Sequence, residues 1–143
     1  AVGKKIVHAG PVGSGDALKA VNNALLAVHI ISTAEGLAVL VKAGVDPKVA
    51  LDVINASSGR SNTSENLIPQ RVLTRAFPRT FRLALLEKDV GIAAVLAEDL
   101  GARTPVISLA AARFHEARAK LGEEADHVEA VKMIEEENSV EIK

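Results

Sequence analysis

The feature that most limits how this chain can fold is an almost unbroken apolar run from Ala24 to Val41, which follows closely on a glycine-rich turn, GPVGSG, at residues 10–15. The run is long enough to span a membrane. Four polar residues interrupt it: His29, Ser32, Thr33 and Glu35. We therefore expect no membrane span but a central helix of a globular domain, buried on most of its circumference.

Start and stop signals divide the rest of the chain into further helices, so the expected fold class is all-α. Asp16 is a candidate N-cap of the central helix and Gly44 its candidate stop. Residues 46–47, Asp-Pro, start the next helix, and a capping box over residues 126–129 starts the last one. The expected helices cover residues 17–42, 47–55, 64–74, 81–101 and 105–122, with the last beginning at 126. Pro69 should break the third.

Apolar spacing and polar stretches give a few finer expectations. In the second helix, Val49, Ala50, Val53 and Ile54 share the face expected to be buried. Residues 5–7 resemble a short strand, residues 55–66 are polar enough for a long loop, and residues 135–137 should be a solvated acidic end.

Composition removes several classes of function. The 143 residues carry a net charge of −1 with the two signs interspersed, so we expect no nucleic-acid partner. No cysteine is present, which excludes disulfides, thiolate metal sites and cysteine nucleophiles, and we expect no metal site. Nothing resembles a signal peptide, so a cytoplasmic protein is the default expectation.

The polar residues after the glycine turn form one candidate site. Gly15, Lys19, Asn22 and Asn23 are three and four residues apart, so on a helix they share a face and can converge on a small molecule. The spacing G-x-x-G-x-G differs from the dinucleotide fingerprint G-x-G-x-x-G, which argues against a nucleotide loop. The alternative is structural: the two asparagines would hydrogen-bond a neighbouring loop or helix end, and Lys19 would be a solvated surface charge.

Three stretches resemble one family. GPVGSGDALKAVNN is similar to the GxxGxGxxxKxxNN motif of the 3-hydroxyisobutyrate dehydrogenases, the β-hydroxyacid dehydrogenase family, and it matches at Gly10, Gly13, Gly15, Lys19, Asn22 and Asn23. FRLALLEKDVGIA, from Phe81, resembles the family's F…KD segment, and NASSGRSNTSEN resembles its Ser-Ser-Gly loop. The resemblance implies an all-α multi-helix bundle around one long central helix, like the C-terminal domain of 6-phosphogluconate dehydrogenase.

The resemblance also implies an activity and roles for particular residues. The whole enzyme would interconvert a 3-hydroxy acid and its carbonyl product by hydride transfer to NAD or NADP, with Lys19 as the general acid/base. The substrate-binding residues would be Gly13, Gly15, Asn22, Asn23, Ser58 and Arg60, with Arg60 a candidate partner of the substrate carboxylate. The cofactor-binding residues would be Phe81, Lys88 and Asp89.

In that family a dinucleotide-binding domain precedes this region and holds most of the cofactor, and no counterpart of it occurs in these 143 residues. We therefore expect residues 1–143 to be a C-terminal helical domain for substrate binding and dimerisation, with residues 1–13 as the end of the preceding domain and the hinge. Such a domain would be inactive alone. Its partners would be the N-terminal domain, a small 3-hydroxy acid and a second copy in a homo-oligomer. The alternative function is a non-catalytic helical dimerisation module.

Overall fold

The computed structural model of the protein describes residues 6–143 and confirms the all-α class. Its elements are α1 Ser14–Lys42, α2 Pro47–Asn55, a π-helix Thr63–Val72, α3 Leu83–Asp99, α4 Pro105–Leu121, a 3₁₀ turn His127–Glu129 and α5 Ala130–Asn138. Within the described residues, strand-like pairing is limited to a single antiparallel bridge between Arg82 and Asp126. Of the strand-like piece expected over residues 5–7, Lys5 lies outside the described residues, and Ile6 and Val7 belong to no strand.

α1 is the central helix, as its apolar run predicts. At about 1.5 Å per residue, its 29 residues extend for roughly 43 Å, and α3, α4 and α5 pack against it. Its inner face contains many alanines, which allow close helix approach, and five residues of this face have no exposed surface: Ala24, Ala27, Ile30, Ala34 and Leu37.

The outer face of α1 is left uncovered by the other described residues. Within the described residues, α1 is the one helix that is long and apolar enough to cross a membrane, a test that the core helices of many globular proteins also pass. Of its most apolar 18-residue window, only 39% is buried. Four apolar side chains on this helix are exposed: Leu18, Val21, Leu25 and Val39.

Glycines set both ends of α1. Gly13, with φ +92°, is the residue before the first helical one, so the helix begins at Ser14 and the expectation that Asp16 caps it is wrong. Asp16 instead lies in the first turn, where its charge is favourable to the helix dipole. At the other end Gly44 has φ +81° and donates to the carbonyl of Val41, while the next N–H donates to the carbonyl of residue 40, which completes a Schellman motif.

The next helix starts as expected but turns a different face inward. The Asp46 carboxylate accepts from the N–H groups of Lys48 at 2.8 Å and Val49 at 3.3 Å, which confirms the cap of α2. However, Val49 and Val53 are more than half exposed, and the buried residues are Pro47, Ala50 and Leu51. Nine residues are too few for apolar spacing to fix the buried face, because the proline at the start also has to be accommodated.

The long polar loop expected over residues 55–66 is shorter, because a π-helix begins at Thr63 and continues to Val72 without a break at Pro69. In a π-helix each N–H donates to the carbonyl five residues earlier, so Pro69 leaves the carbonyl of Ser64 without a donor. The side chain of Asn55, at the end of α2, supplies it: Nδ2 donates to the Ser64 carbonyl at 3.0 Å. A residue outside the helix thus completes its hydrogen bonding.

The start of α3 is tied to the start of the last helical segment by Asp126, which has no exposed surface. Its carboxylate accepts from the N–H of Thr80 at 2.8 Å, that of Phe81 at 3.1 Å and that of Val128 at 3.1 Å, and Glu129 accepts from the N–H of Asp126, which confirms the capping box. Burial alone would raise the pKa of Asp126, but the hydrogen bond from His127 and those from the three backbone N–H groups hold it well below its ordinary range.

The acidic end is not fully solvated, contrary to expectation. Glu135 is buried, and its carboxylate accepts from both terminal nitrogens of Arg75, at 2.6 and 3.1 Å, and from the N–H of Ile142 at 2.8 Å. Ile142 is itself fully buried, so the chain end folds back onto the bundle. The burial of Glu135 could not be predicted from local sequence, because its partner Arg75 lies 60 residues away.

Replacing Asn55 by alanine should lower the free energy of unfolding by about 1–3 kcal/mol, because the Ser64 carbonyl loses its donor. In a Pro69→Ala background the restored N–H of residue 69 can donate to that carbonyl instead, so the same change should cost measurably less there. Urea unfolding of the two single variants and the double variant gives the coupling energy. Strictly additive effects would contradict this explanation of how the π-helix accommodates Pro69.

Replacing Asp126 by asparagine should lower the free energy of unfolding by about 2–3 kcal/mol at neutral pH. The carboxylate accepts hydrogen bonds from backbone N–H groups, whereas the N–H₂ of an asparagine amide is itself a donor and would face those groups without a bond. Because its folded-state pKa is lowered, the stabilisation by Asp126 is complete above the ordinary carboxyl pKa of about 4 and is lost as pH falls below it. Urea unfolding across pH should therefore show a gap between the two proteins that narrows below about pH 4. Asp52→Asn, at an exposed position of α2, is the control.

Candidate functional site

The two motif stretches meet at one buried carboxylate. Asp89, on α3, is 5% exposed; it accepts from Nδ2 of Asn23 at 2.7 Å and lies 3.5 Å from Nζ of Lys19. Lys19 and Asn23 are one turn apart on α1, so both project toward the same point of α3. Three of the residues singled out from the sequence thus form one cluster, although 66 positions separate Asn23 from Asp89.

Within the cluster the two contacts differ in strength. The bond from Asn23 is short and directed at a buried charge, the kind of hydrogen bond that contributes about 1.5–3 kcal/mol. The Lys19 side chain is 67% exposed and stands farther off, the kind of pair that contributes at most about 1 kcal/mol. The ammonium is therefore held near Asp89 but remains accessible from the exposed side of this face.

The two asparagines are not alike. Asn22 is exposed, and its Nδ2 lies 3.4 Å from Oδ1 of Asn23, a weak contact. Asn23 is half-buried, and its amide nitrogen is committed to Asp89 in the middle of α3 rather than to a helix end. Asn23 therefore has, in part, the structural role considered as the alternative to ligand binding, since it hydrogen-bonds a neighbouring helix. The side chain of Asn22 remains available to a ligand.

The glycines of the first motif also divide into two kinds. Gly13 needs the conformational freedom of glycine, because its φ is +92°. Gly15 lies in the first turn of α1 with ordinary helical geometry, and a Cβ built there would meet no atom within 4 Å. Gly15 therefore leaves open space beside the start of the helix.

The Ser-Ser-Gly loop contributes less than expected to the described cluster. Ser58 and Arg60 are both exposed, and Arg60 lies 3.6 Å from the carboxylate of Glu65. Neither residue makes a described hydrogen bond to Lys19, Asn22 or Asn23. Their proposed role in substrate binding stays a prediction.

The residues expected to contact a cofactor lie at the start of α3 and on it. The ring of Phe81 is half-buried and packs edge-on against His127 at 5.5 Å between ring centres. Phe81 and Leu85, with neighbouring arginines, line a surface cavity of about 200 Å³. Lys88 is exposed, whereas Asp89 points toward α1 and is occupied by Asn23.

A second cavity, of about 380 Å³, lies between α1 and the start of the π-helix. It is lined by Asn22, Leu25, Leu26, His29, Asn62 and Thr63. Sequence reasoning singled out only the first of these six. His29 could have been predicted as a neighbour of Asn22, because it lies seven residues later and therefore on the same face of α1.

Comparison with known proteins places this geometry in a family. Residues 13–134 match the family described as "NAD-binding of NADP-dependent 3-hydroxyisobutyrate dehydrogenase". The chain is 34% identical to 2-(hydroxymethyl)glutarate dehydrogenase of Eubacterium barkeri over 99% of its own length and 47% of that protein. It is 36% identical to 3-hydroxyisobutyrate dehydrogenase of Pseudomonas aeruginosa over 76% of its own length and 39% of that protein.

A solved structure agrees. The 3-hydroxyisobutyrate dehydrogenase of Mycobacterium tuberculosis, determined with L-serine, superposes with a TM-score of 0.82 over 91% of this chain and 46% of that one, at 28% identity. Fold and motifs together define the class, a helical relative of the hydroxyacid dehydrogenases. The chain belongs to the 3-hydroxyisobutyrate dehydrogenase family, and it spans less than half the length of these relatives.

A double-mutant cycle should separate the two contacts of Asp89. We expect a coupling energy of about 1.5–3 kcal/mol between Asn23→Ala and Asp89→Ala, because the bond is short and the carboxylate is buried. For Lys19→Ala and Asp89→Ala we expect less than about 1 kcal/mol, because the ammonium is solvated. Equal couplings in chemical unfolding would contradict the expected difference, and a larger coupling for Lys19 would show that Lys19 is the main partner of Asp89.

Proposed function

We propose that this chain is the helical domain of an NAD(P)-dependent 3-hydroxyacid dehydrogenase and supplies its acid/base lysine. The observation that carries the proposal is the meeting of Lys19 and Asn23 with Asp89, which joins the two motifs that resemble the family into one cluster. A lysine held beside a buried carboxylate, but two-thirds exposed, is arranged to meet a ligand rather than to stabilise the fold.

In this role Nζ of Lys19 takes the proton from the substrate hydroxyl during oxidation and returns it during reduction. Asp89 does not touch the substrate; it is a positioning residue that fixes Asn23 and limits the directions open to the lysine. Asn22, whose side chain is available, donates to or accepts from a substrate oxygen. A positioned proton acceptor of this kind contributes about 10²- to 10⁴-fold to the rate.

The described residues fit part of a dinucleotide cofactor. Phe81 and Leu85 give an apolar surface that suits a planar ring. Arg79 and Arg82 lie beside it, each ion-paired with Glu124, and Lys88 is exposed farther along α3, so these cations are candidates for contact with a diphosphate. When bound, NAD or NADP accepts or gives the hydride. Asp89 faces away from this surface, so of the three residues expected to bind cofactor we retain Phe81 and Lys88.

The rest of the catalytic unit belongs to the proposal as well. A dinucleotide-binding domain placed over the exposed side of Lys19 would exclude water, and residues 1–13 would lead into it. Gly13, Gly15, Ser58 and Arg60 are proposed to line the substrate site from this side. The relatives' names leave several substrates open: 3-hydroxyisobutyrate and threonate-like acids present a 3-hydroxyl for oxidation, and tartronate semialdehyde presents a 3-aldehyde for reduction.

An assembly role for α1 is the second candidate, favoured by one observation: Leu18, Val21 and Leu25 form an exposed apolar stripe on that helix. It is compatible with the first, because an oligomeric dehydrogenase would bury this surface. A full-length protein that stays monomeric at high concentration would contradict the homo-oligomer. The Lys19 experiment below separates the two functions, since a pure assembly module needs no ammonium group.

In the full-length protein that carries this chain, Lys19→Ala should lower turnover of 3-hydroxy acids by about 10²- to 10⁴-fold. Lys19→Arg keeps the charge beside Asp89 but cannot give up its proton, so it should be almost as inactive. Cofactor reduction, followed at 340 nm over a panel of 3-hydroxy acids, measures both. Lys42→Ala, at the far end of the same helix, is the control, and near-normal turnover in either Lys19 variant would refute the assignment.

A further inference from the structure

The cavity between α1 and the π-helix is continuous with the proposed site through Asn22. This residue lines the cavity, and its Nδ2 contacts Asn23, which in turn is bonded to the carboxylate beside Lys19. Along the axis of α1, Asn22 is about 4.5 Å from Lys19. A molecule of a few carbon atoms whose hydroxyl lies at Nζ therefore reaches the cavity with its remaining atoms.

The lining of the cavity is mostly polar. On the polar side it has two carboxamides, an imidazole and a hydroxyl; on the other side it has Leu25 and Leu26. No lysine, arginine, aspartate or glutamate lines it among the described residues. A carboxylate placed there would meet no lysine or arginine, and an alkyl group would leave the amides without partners.

Thr63 gives a second, independent sign of a ligand. It has no exposed surface, and its hydroxyl oxygen has no hydrogen-bond partner among the described residues. Buried hydroxyls are normally bonded, and the next residue shows this: Oγ of Ser64 is paired with the backbone of Ser61 at 2.8 and 3.0 Å. The missing partner of Thr63 has room in the cavity it lines.

The amides have complementary groups to offer. Oδ1 of Asn62 accepts from Asn66 at 2.9 Å, so its Nδ2 is left to donate into the cavity. Nδ2 of Asn22 is directed at Asn23, so its Oδ1 is left to accept. The cavity thus offers a donor, an acceptor and a hydroxyl that can act as either. An alcohol group of a ligand suits these partners, because it both donates and accepts hydrogen bonds.

From these features we infer that the cavity binds the hydroxylated tail of the substrate. The inference rests on the proposed function and narrows it: among 3-hydroxy acids, this chain selects those that carry further hydroxyl groups over those with an alkyl or carboxylate tail. Asn62 and Thr63 are then the specificity-determining residues. Discrimination arises because an alkyl tail leaves buried polar groups unpaired.

The test uses the full-length protein with cofactor and three acids that each carry a 3-hydroxyl but differ in their further groups: L-threonate with hydroxyls, 3-hydroxyisobutyrate with a methyl group and 2-(hydroxymethyl)glutarate with a second carboxylate. We expect kcat/KM to be highest for L-threonate. Thr63→Val, nearly isosteric, should reduce kcat/KM for L-threonate about 10-fold more than for 3-hydroxyisobutyrate. Thr63→Ser keeps the hydroxyl and should restore the preference, and Asn62→Leu should reduce it further.

Thr74→Val is the matched control, because Thr74 follows the other end of the π-helix and its hydroxyl is bonded to the carbonyl of Gln70. Calorimetric titration of L-threonate into the same proteins gives a readout that needs no turnover, and Thr63→Val should weaken binding about 10-fold. Lys19-dependent oxidation with a substrate preference that Thr63→Val leaves unchanged would overturn the inference and leave the proposed function standing. Binding that depends on Thr63 without any oxidation would overturn the proposed function and leave the cavity as a binding site for hydroxylated acids. The absence of both binding and oxidation would overturn the inference and the proposed function together.

Discussion

The arrangement of the candidate site depends on one carboxylate, that of Asp89. It lies where α1, which carries the first motif, packs against α3, which carries the second. A buried charge is tolerated only when it is paired and hydrogen-bonded, and here Asn23 satisfies most of that requirement while Lys19 adds the opposite charge. The packing of α1 on α3 therefore also positions Lys19. Fold and site are not separable in this chain.

The same crossing explains why α1 is so apolar and yet so incompletely covered. Its inner face holds the bundle together through small residues, the side toward α3 carries the polar cluster, and its outer face carries an exposed apolar stripe. A surface of this kind is costly to leave in water. It is consistent with a helix that serves as a core on one side and as a contact surface on the other.

Much of the fold follows from the sequence because its helix boundaries are marked chemically. Asp46, the capping box at Asp126 and Gly44 act where they were expected to act. Asp16 failed as a cap because Gly13 allows the helix to start earlier. The π-helix and the burial of Glu135 could not be foreseen, because each depends on a partner brought near only by tertiary packing.

For the site, helical spacing placed Lys19, Asn22 and Asn23 on one face, but only the packed structure shows that Asp89 is the partner of Lys19 and Asn23. The cavity residues were missed for a similar reason: Asn62 and Thr63 lie in a stretch whose polarity indicates a loop, and nothing in one sequence shows which loop residues turn inward.

The hydrogen bond from Asn55 to the carbonyl of Ser64 has a consequence for how this protein can vary. It closes residues 56–63 into a short ring anchored at both ends, by the end of α2 and by the π-helix. Ala56 and Ser57, exposed residues of the ring to which no role is assigned, can be exchanged without moving the ring's base, where Asn62 and Thr63 line the cavity. Within these eight residues, side chains on the surface can therefore change during evolution while the shape of the cavity is preserved.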